Sequence, residues 1–127
     1  MTVESSPLPS PRYTELKGKV ALITGAGRAG GLGEGIARRL AAEGCTVVIT
    51  DIGKGRGDQM PVDAIGTDEE MARTAAAIRE AGGDCIAMAL DVLEESQVKA
   101  VIAKTVERFG GIDILVNNAG IGYLMKS

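Results

Sequence analysis

Four short apolar runs recur along the chain, and the segments between them repeat apolar residues at the spacing of a helix. The runs are KVALIT (19–24), CTVVIT (45–50), DCIAMALDV (84–92, with the strand ending near Asp91) and IDILVN (112–117). Runs of this length, rich in β-branched and aliphatic residues, are typical of strands that are buried on both faces. The pattern therefore predicts four strands separated by three helical segments.

Capping residues and apolar stripes define the three predicted helices. The first spans residues 32–43 and ends before a glycine, which favours a left-handed cap. The second begins at Thr67, where Thr67 and Glu70 match a capping box, and the third is capped by Asp91 with Glu94. The predicted stripes are Ile36, Ala37, Leu40 and Ala41, then Met71, Thr74, Ala75 and Ile78, then Val98, Val101, Ile102, Val106 and Phe109.

This alternation of strands and helices predicts an α/β fold of the doubly wound Rossmann type. Right-handed crossovers between parallel strands would place helices on both faces of the sheet. The predicted sheet is truncated after its fourth strand. Ligands bind such sheets beyond the carboxyl ends of the strands, which are predicted at Thr24, Asp51, Asp91 and Asn117.

The length of 127 residues corresponds to a single domain. Residues 1–18 contain three of the four prolines, with serines between them, and this composition predicts a flexible leader before a folded domain over 19–127. Residues 52–66 form a fifteen-residue connection, whereas strand-to-helix turns usually have about two to six residues. This connection is predicted either to fold over a bound ligand as a lid or to extend into solvent.

Composition and charge narrow the possible functions. Hydrophobic residues make up 45% of the chain but aromatic residues only 2%, so the core is predicted to be aliphatic, with Cys45 and Cys85 as buried thiols. The net charge of -3 without a basic block argues against nucleic acid or an anionic membrane as a partner. No membrane span and no signal peptide are recognisable, which predicts a cytoplasmic protein. Histidine is absent, and no metal site is predicted.

The segment TGAGRAGGLGEGIA, residues 24–37, places six glycines in fourteen positions between the first strand and the first helix. Glycine destabilises a helix by about 1 kcal/mol relative to alanine, so the cluster indicates that a ligand approaches the backbone closely. Backbone N–H groups at the start of a helix bind anions and lie at the positive end of the helix dipole. The segment therefore predicts a phosphate-binding loop.

Two glycine registers are compatible with this loop. Gly25, Gly27 and Gly30 match the usual dinucleotide-binding spacing, whereas Gly25, Gly31 and Gly33 match a looser one. Under the first register the helix would begin near residue 28 and carry four glycines in its opening turns, each unfavourable by about 1 kcal/mol. The second register leaves most of the glycines in the loop and is favoured.

An acidic residue follows the loop where a dinucleotide site requires one. Asp51 lies eighteen positions after Gly33, at the end of the second strand, where a carboxylate accepts hydrogen bonds from the adenosine ribose. A 2′-phosphate beside it would meet like-charge repulsion, so Asp51 favours NAD over NADP as the cofactor. Arg28 is predicted either to contact a phosphate or to be a solvated loop residue.

With these elements in order, the chain resembles the short-chain dehydrogenase/reductase family from residue 19 to about residue 122. The resemblance rests on Thr24 and Gly25, on Gly31, Leu32 and Gly33, on Asp51, on Leu90, Asp91 and Val92, and on Asn117, Asn118, Ala119 and Gly120, the most specific element. The family's glycine loop usually has two residues fewer than the five between Gly25 and Gly31 here. The resemblance implies that residues 19–127 are a dinucleotide-binding domain, the N-terminal half of a longer enzyme.

The resemblance also implies roles for individual residues. The pyrophosphate would be wrapped by Gly25, Gly31, Leu32 and Gly33. The adenine ribose would be held by Asp51 and the Ile52 backbone, and the adenine would contact Asp91 and Val92. The sheet would be braced, and the pocket near the cofactor ribose lined, by Asn117, Ala119 and Gly120. Two simpler roles stay open: Asp91 as a helix cap, and Asn117 with Asn118 as partners of backbone groups at a strand end.

The activity implied by the resemblance is NAD-dependent hydride transfer between the nicotinamide and a small alcohol or carbonyl substrate. The family's catalytic serine, tyrosine and lysine lie well beyond the NNAG segment, and Tyr123 and Lys126 are three positions apart rather than four, so no catalytic residue is predicted. The chain would then be the cofactor-binding portion of the enzyme. The alternatives are a non-catalytic NAD-binding module or inactive fragment that recruits a partner, and a methyltransferase-like fold, against which NNAG argues.

The fourth strand is predicted to form an exposed edge. In the family this strand is central and is flanked by a further strand, so Ile112, Ile114, Leu115 and Val116 would form an apolar edge here. Such an edge predicts self-association or the recruitment of a partner.

Overall fold

The computed structural model describes residues 7–28, 30–52 and 68–119. The strands are β1 (Val20–Ile23), β2 (Thr46–Asp51), β3 (Asp84–Ala89) and β4 (Ile114–Val116), and the helices are α1 (Leu32–Ala42), α2 (Asp68–Glu80) and α3 (Glu95–Phe109). A short 3-10 helix at Thr14–Leu16 precedes β1. None of the helices in the described ranges is long and apolar enough to cross a membrane.

The strands form one parallel sheet in the order β3-β2-β1-β4. Val20 of β1 lies opposite Thr46 of β2, and Ala21 of β1 lies opposite Ile114 of β4. The chain winds outward from β1 through β2 to β3 and then returns to the other side of β1. All the carboxyl ends therefore lie at one edge of the sheet, and the winding reverses between β1 and β4, which is where such folds bind ligands.

Helices cover both faces of the sheet. Neighbouring residues of β1 belong to different cores, since Ile23 packs beneath α1 and α2 whereas Leu22 packs beneath α3. The first core contains Ile23, Ala37, Ala41, Cys45, Val47, Ile49, Ala75, Ile78 and Cys85, and the second contains Leu22, Val48, Leu90 and Val101. This arrangement confirms the doubly wound α/β fold with an aliphatic core.

The cap predicted for α3 is wrong, and β3 ends at Ala89, two residues before the end predicted near Asp91. β3 ends before Asp91, which lies in a turn where its Oδ1 accepts the N–H of Leu93 at 3.0 Å. Helix α3 begins only after Glu94, its N-cap, and has no side-chain cap, so the cap predicted for Asp91 with Glu94 does not form. The Asp91 carboxylate thus stabilises the turn that precedes α3. The capping box predicted at Thr67 lies outside the described residues.

The apolar stripe predicted for α3 is only partly buried. Val101 is buried, but Ile102 and Val106 are 42% and 44% exposed. Thr105 is buried in their place, and its hydroxyl donates to the carbonyl oxygen of Val101 at 2.8 Å. Because this hydroxyl is satisfied within the helix, Thr105 can face the sheet without leaving an unpaired polar group.

The apolar edge predicted at β4 is correct for Leu115 and wrong for its neighbours. β4 pairs with β1 alone among the strands of the described ranges, and Leu115 is 58% exposed. Ile114 and Val116 are half-buried against the core beneath α1 and α2, and Ile112 is half-buried on the α3 side. Ile114 and Val116 thus face the core beneath α1 and α2, whereas Leu115 between them lies on the opposite side of β4, and the exposed apolar part of the strand is smaller than predicted.

Residues 7–18 of the predicted leader contact the folded domain. The leader side chains that pack against the core beneath α1 and α2 are Leu8 and Leu16. The N–H groups of Arg12 and Tyr13 donate to the carboxylate of Glu43, which also pairs with Arg39. Burial opposes ionisation of Glu43, but these hydrogen bonds and the charge of Arg39 outweigh it and lower the pKa of Glu43. Residues 1–6 lie outside the described ranges.

Both cysteines are buried free thiols, as predicted. Burial raises the pKa of Cys85 to about 12, and it also raises the pKa of Cys45. A thiol that stays protonated is a poor nucleophile. Cys45 and Cys85 therefore act as small apolar residues of the core.

Candidate functional site

The glycine-rich segment forms a loop between β1 and α1. Helix α1 begins at Leu32 with Gly31 as its N-cap, and no side chain caps its first turn. The loop glycines before Gly31 lie outside the helix, which agrees with the register Gly25, Gly31 and Gly33 and not with a helix starting near residue 28. The first-turn N–H groups of a helix without a capping side chain need another acceptor, and a phosphate can supply one.

Two glycines, one in this loop and one in the first turn of α1, are required by backbone packing. A Cβ atom at Gly33 would lie 2.6 Å from the Cα atom of Ala26 and 2.8 Å from the carbonyl oxygen of Gly25. Gly25 has a φ of +68°, and a Cβ atom there would lie 2.8 Å from the Cα atom of Ala119. The start of α1, the loop and the segment after β4 therefore approach one another so closely that neither position has room for a side chain.

Thr24 joins the end of β1 to the segment that follows β4. Its hydroxyl oxygen accepts the N–H groups of Asn118 and Ala119 at 3.1 and 3.0 Å. The side-chain amide of Asn118 in turn donates to the carbonyl oxygen of Gly25 at 3.0 Å. The link between β1, the loop and the NNAG segment therefore runs through Thr24 and Asn118, whereas Asn117 is exposed.

Asp51 joins the end of β2 to the glycine loop. Its Oδ2 accepts the N–H of Gly27 at 3.1 Å, and its Oδ1 accepts the N–H of Ile52 at 2.8 Å. The side chain is half-buried, so it stays accessible from solvent. Each carboxylate oxygen can accept a second hydrogen bond, which leaves capacity for the hydroxyl groups of a ligand.

The other predicted site residues lie around the same edge. Arg28 is exposed in the loop, and Leu32 is 73% exposed at the start of α1. Asp91 and Val92 follow β3, the strand next to β2, and Val92 is 44% exposed. Gly120 lies outside the described residues. Asp51 is thus hydrogen-bonded to the loop, whereas Arg28, Leu32 and Val92 are exposed to solvent.

Glu34 is a buried acidic residue of the site that the sequence analysis missed. It is 4% exposed in the first turn of α1, where its Oε1 accepts the N–H of Gly30 at 2.6 Å. Its Oε2 accepts a hydrogen bond from Nε of Arg38 at 2.8 Å. The available signal was its position three residues after the N-cap Gly31, where a glutamate reaches back to N–H groups before the helix.

Comparison with known proteins places this site in a family. The family model described as short chain dehydrogenase matches residues 19–127. The short-chain reductase protein NovJ of Streptomyces niveus is 43% identical over 102 residues, which are 80% of this chain and 33% of that protein. The 2,5-dichloro-2,5-cyclohexadiene-1,4-diol dehydrogenase LinX of Sphingobium indicum is 45% identical over 107 residues, which are 84% of this chain and 36% of that protein.

Solved structures show the same similarity. The crystal structure of a short chain dehydrogenase from Mycobacterium smegmatis matches with a TM-score of 0.70 and 33% identity, covering 94% of this chain and 44% of that chain. The chain thus spans about a third of the length of the two curated relatives and less than half of the solved one.

Proposed function

We propose that this chain, which belongs to the short-chain dehydrogenase family, binds NAD at the carboxyl ends of its strands as the cofactor-binding portion of an oxidoreductase. The observation that carries the proposal is the hydrogen bond from the N–H of Gly27 to Oδ2 of Asp51, at 3.1 Å. It holds the acidic end of β2 beside the loop that precedes α1. A dinucleotide offers a diphosphate and a ribose diol in the same order, and so fits these donors and acceptors.

The pyrophosphate would lie against the start of α1. This eleven-residue helix begins with Leu32 and Gly33. Their N–H groups lie in its first turn and therefore have no acceptor within the helix. Gly25 and Gly31 keep the adjoining backbone free of side chains, and Arg28 adds an exposed positive charge in the same loop. The charge of the pyrophosphate would also be stabilised by the dipole of α1.

The adenosine half would lie at the ends of β2 and β3. Asp51 retains lone pairs for the ribose hydroxyls after accepting the N–H groups of Gly27 and Ile52. Its negative charge would repel the 2′-phosphate of NADP, which is the physical reason for proposing NAD. The adenine would contact Asp91 and Val92. Further along the sheet edge, the residues proposed to line the pocket near the other ribose are Asn117, Ala119 and Gly120.

The reaction proposed for the whole protein is the oxidation of an alcohol or the reduction of a carbonyl group. Bound NAD supplies the hydride acceptor, and its reduced form the hydride donor. The family consists of oxidoreductases, and the relatives named above are a reductase and a diol dehydrogenase. The described residues of this chain bind and orient the cofactor, and we propose no catalytic residue among them.

Titration with both cofactors tests the proposal. We expect NAD to bind at least about ten times more tightly than NADP, which corresponds to about 1.4 kcal/mol, because Asp51 repels the extra phosphate. Isothermal calorimetry on protein shown to be folded by circular dichroism measures both affinities. Absence of NAD binding by folded protein would refute the proposal, and equal affinities would refute the preference for NAD.

A second candidate function is association through β4, and the exposure of Leu115 favours it. β4 pairs with β1 alone among the described strands and carries a 58% exposed leucine, and both are features of an edge strand that pairs with another chain. A second copy of the chain could pair along this edge. In this reading the chain is a binding module that assembles through its sheet.

The Leu115→Lys variant tests this association. We expect the association constant to fall about tenfold or more, because burying a leucine contributes about 1.5 to 3 kcal/mol and a lysine resists burial. Analytical ultracentrifugation over a range of concentrations measures the constant. The matched control is Leu93→Lys, since Leu93 is 71% exposed in the turn after β3. A monomeric native protein, or equal effects of both variants, would exclude the β4 interface.

A further inference from the structure

We propose that Glu34 is a positioning residue that fixes the glycine loop through the N–H of Gly30, and thereby sets the affinity for the diphosphate part of the cofactor. The inference rests on the proposed binding of NAD. It concerns a residue that was not among those assigned to the site from the sequence. Its carboxylate is buried beside the place where an anion is proposed to bind.

Glu34 lies on the buried face of α1. Its side chain is 6% exposed, and that of its partner Arg38 is 13% exposed. A buried carboxylate is unfavourable unless hydrogen bonds and an opposite charge compensate for its lost hydration. Both oxygens meet this requirement, one with the N–H of Gly30 at 2.6 Å and the other with Nε of Arg38 at 2.8 Å. Glu34 is therefore held in one orientation from two sides.

The glycine loop donates a backbone hydrogen bond to a carboxylate on each side. On the β2 side Asp51 accepts the N–H of Gly27 at 3.1 Å, and on the α1 side Glu34 accepts the N–H of Gly30 at 2.6 Å. Gly30 has a φ of +77°, a conformation that only glycine adopts readily, so the loop turns sharply where Glu34 holds it. These two hydrogen bonds hold the backbone at Gly27 and at Gly30, which are only three residues apart.

A loop that is ordered before binding loses less conformational entropy when the ligand arrives. The N–H groups proposed to bind the pyrophosphate follow shortly after Gly30, at Leu32 and Gly33 in the first turn of α1. Loss of the hydrogen bond to Glu34 would make the backbone between Gly30 and the start of α1 less ordered, and would therefore weaken diphosphate binding. Both oxygens of Glu34 are engaged by Gly30 and Arg38, and its negative charge opposes a diphosphate, so Glu34 favours binding only through the loop.

Two variants at position 34 separate the hydrogen bond from the charge. Glu34→Ala removes the acceptor for the N–H of Gly30, and we expect NAD to bind about tenfold more weakly. Glu34→Gln keeps one amide oxygen that can accept this N–H, but its NH2 group cannot accept the hydrogen bond from Nε of Arg38, so its affinity for NAD should lie between that of Glu34→Ala and the native value. Adenosine, which has no diphosphate, should bind all three proteins equally. Calorimetry measures NAD binding, and ligand-observed NMR measures adenosine binding.

Glu95→Ala provides the matched control. Glu95 is also an acidic residue in the first turn of a helix, and it also pairs with a basic residue four positions later, Lys99, but both side chains are exposed. This variant should leave NAD affinity unchanged, which separates the bond to Gly30 from a general loss of first-turn charge.

The outcomes distinguish this inference from the proposed function. Folded native protein that does not bind NAD refutes the proposed function itself. If the native protein binds NAD, the inference is overturned when Glu34→Ala binds NAD as tightly as native protein, or when it weakens adenosine as much as NAD. It is also overturned when Glu34→Gln recovers none of the loss. Thermal unfolding of each variant identifies any that are not folded at the temperature of the titration.

Discussion

Replacing Gly33 by alanine is expected to lower the free energy of unfolding by about 2 to 3 kcal/mol and to weaken NAD binding about 100-fold. The added Cβ would lie 2.6 Å from the Cα atom of Ala26 and 2.8 Å from the carbonyl oxygen of Gly25. Both neighbours are backbone atoms, so relief requires α1 to move away from the loop. Such a movement would displace the first-turn N–H groups from the proposed pyrophosphate site.

Gly35→Ala is the matched control in the same helix. A Cβ atom at Gly35 would have no neighbour within 4 Å, and the position is exposed. Alanine favours the helix there, so this variant should raise the free energy of unfolding by roughly 0.5 to 1 kcal/mol and leave NAD affinity unchanged. Urea unfolding and calorimetry measure the two quantities. If Gly33→Ala lowers the free energy of unfolding and Gly35→Ala raises it, close packing at Gly33 is the cause. Equal changes in the two variants would contradict this explanation.

The sequence predicted those parts of the fold that follow from local rules. The apolar run at Val47–Ile49 is wholly buried in β2, as a strand covered on both faces requires. Gly44 has a φ of +94° just after α1, where the pattern predicted a left-handed cap. Periodicity and capping chemistry involve neighbouring residues only, so they can be recognised without knowing the tertiary structure.

The features that the sequence did not predict depend on contacts between distant segments. The apolar stripe of α3 suggested that Ile102 faces the core, but the sheet meets the helix along Val101 and Thr105 instead. The hydroxyl of Thr24 accepts the N–H of Asn118 across 94 residues of chain. A helical stripe and a strand end restrict where such residues lie, but their partners are decided only when the elements pack.

Glu34 shows the same limit within the candidate site. Glu34 lies in the first turn of the helix predicted over residues 32–43, where an acidic side chain is usually solvated. The structure places Glu34 on the buried face of α1 with Ala37 and Ala41. The hydrogen bond to the N–H of Gly30 is local, but the burial of this carboxylate depends on how α1 packs against the rest of the fold.

Asp51→Asn is expected to abolish the preference for NAD over NADP. The substitution removes the negative charge that would repel a 2′-phosphate, so the ratio of the two affinities should fall at least about tenfold, towards unity. NAD itself should bind up to about tenfold more weakly, because an amide is a poorer acceptor for ribose hydroxyls than a carboxylate. Calorimetric titration of the variant with each cofactor measures the ratio directly.

The ratio also separates two roles of Asp51. Asparagine has one acceptor oxygen where aspartate has two, so the N–H of Gly27 or of Ile52 loses its partner in this variant. Loosening of the loop alone would weaken both cofactors equally, because both carry the same pyrophosphate. Asp84→Asn is the control, since this exposed carboxylate lies at the amino end of β3 and pairs with Thr46. An unchanged ratio in Asp51→Asn would show that this carboxylate does not select between the cofactors.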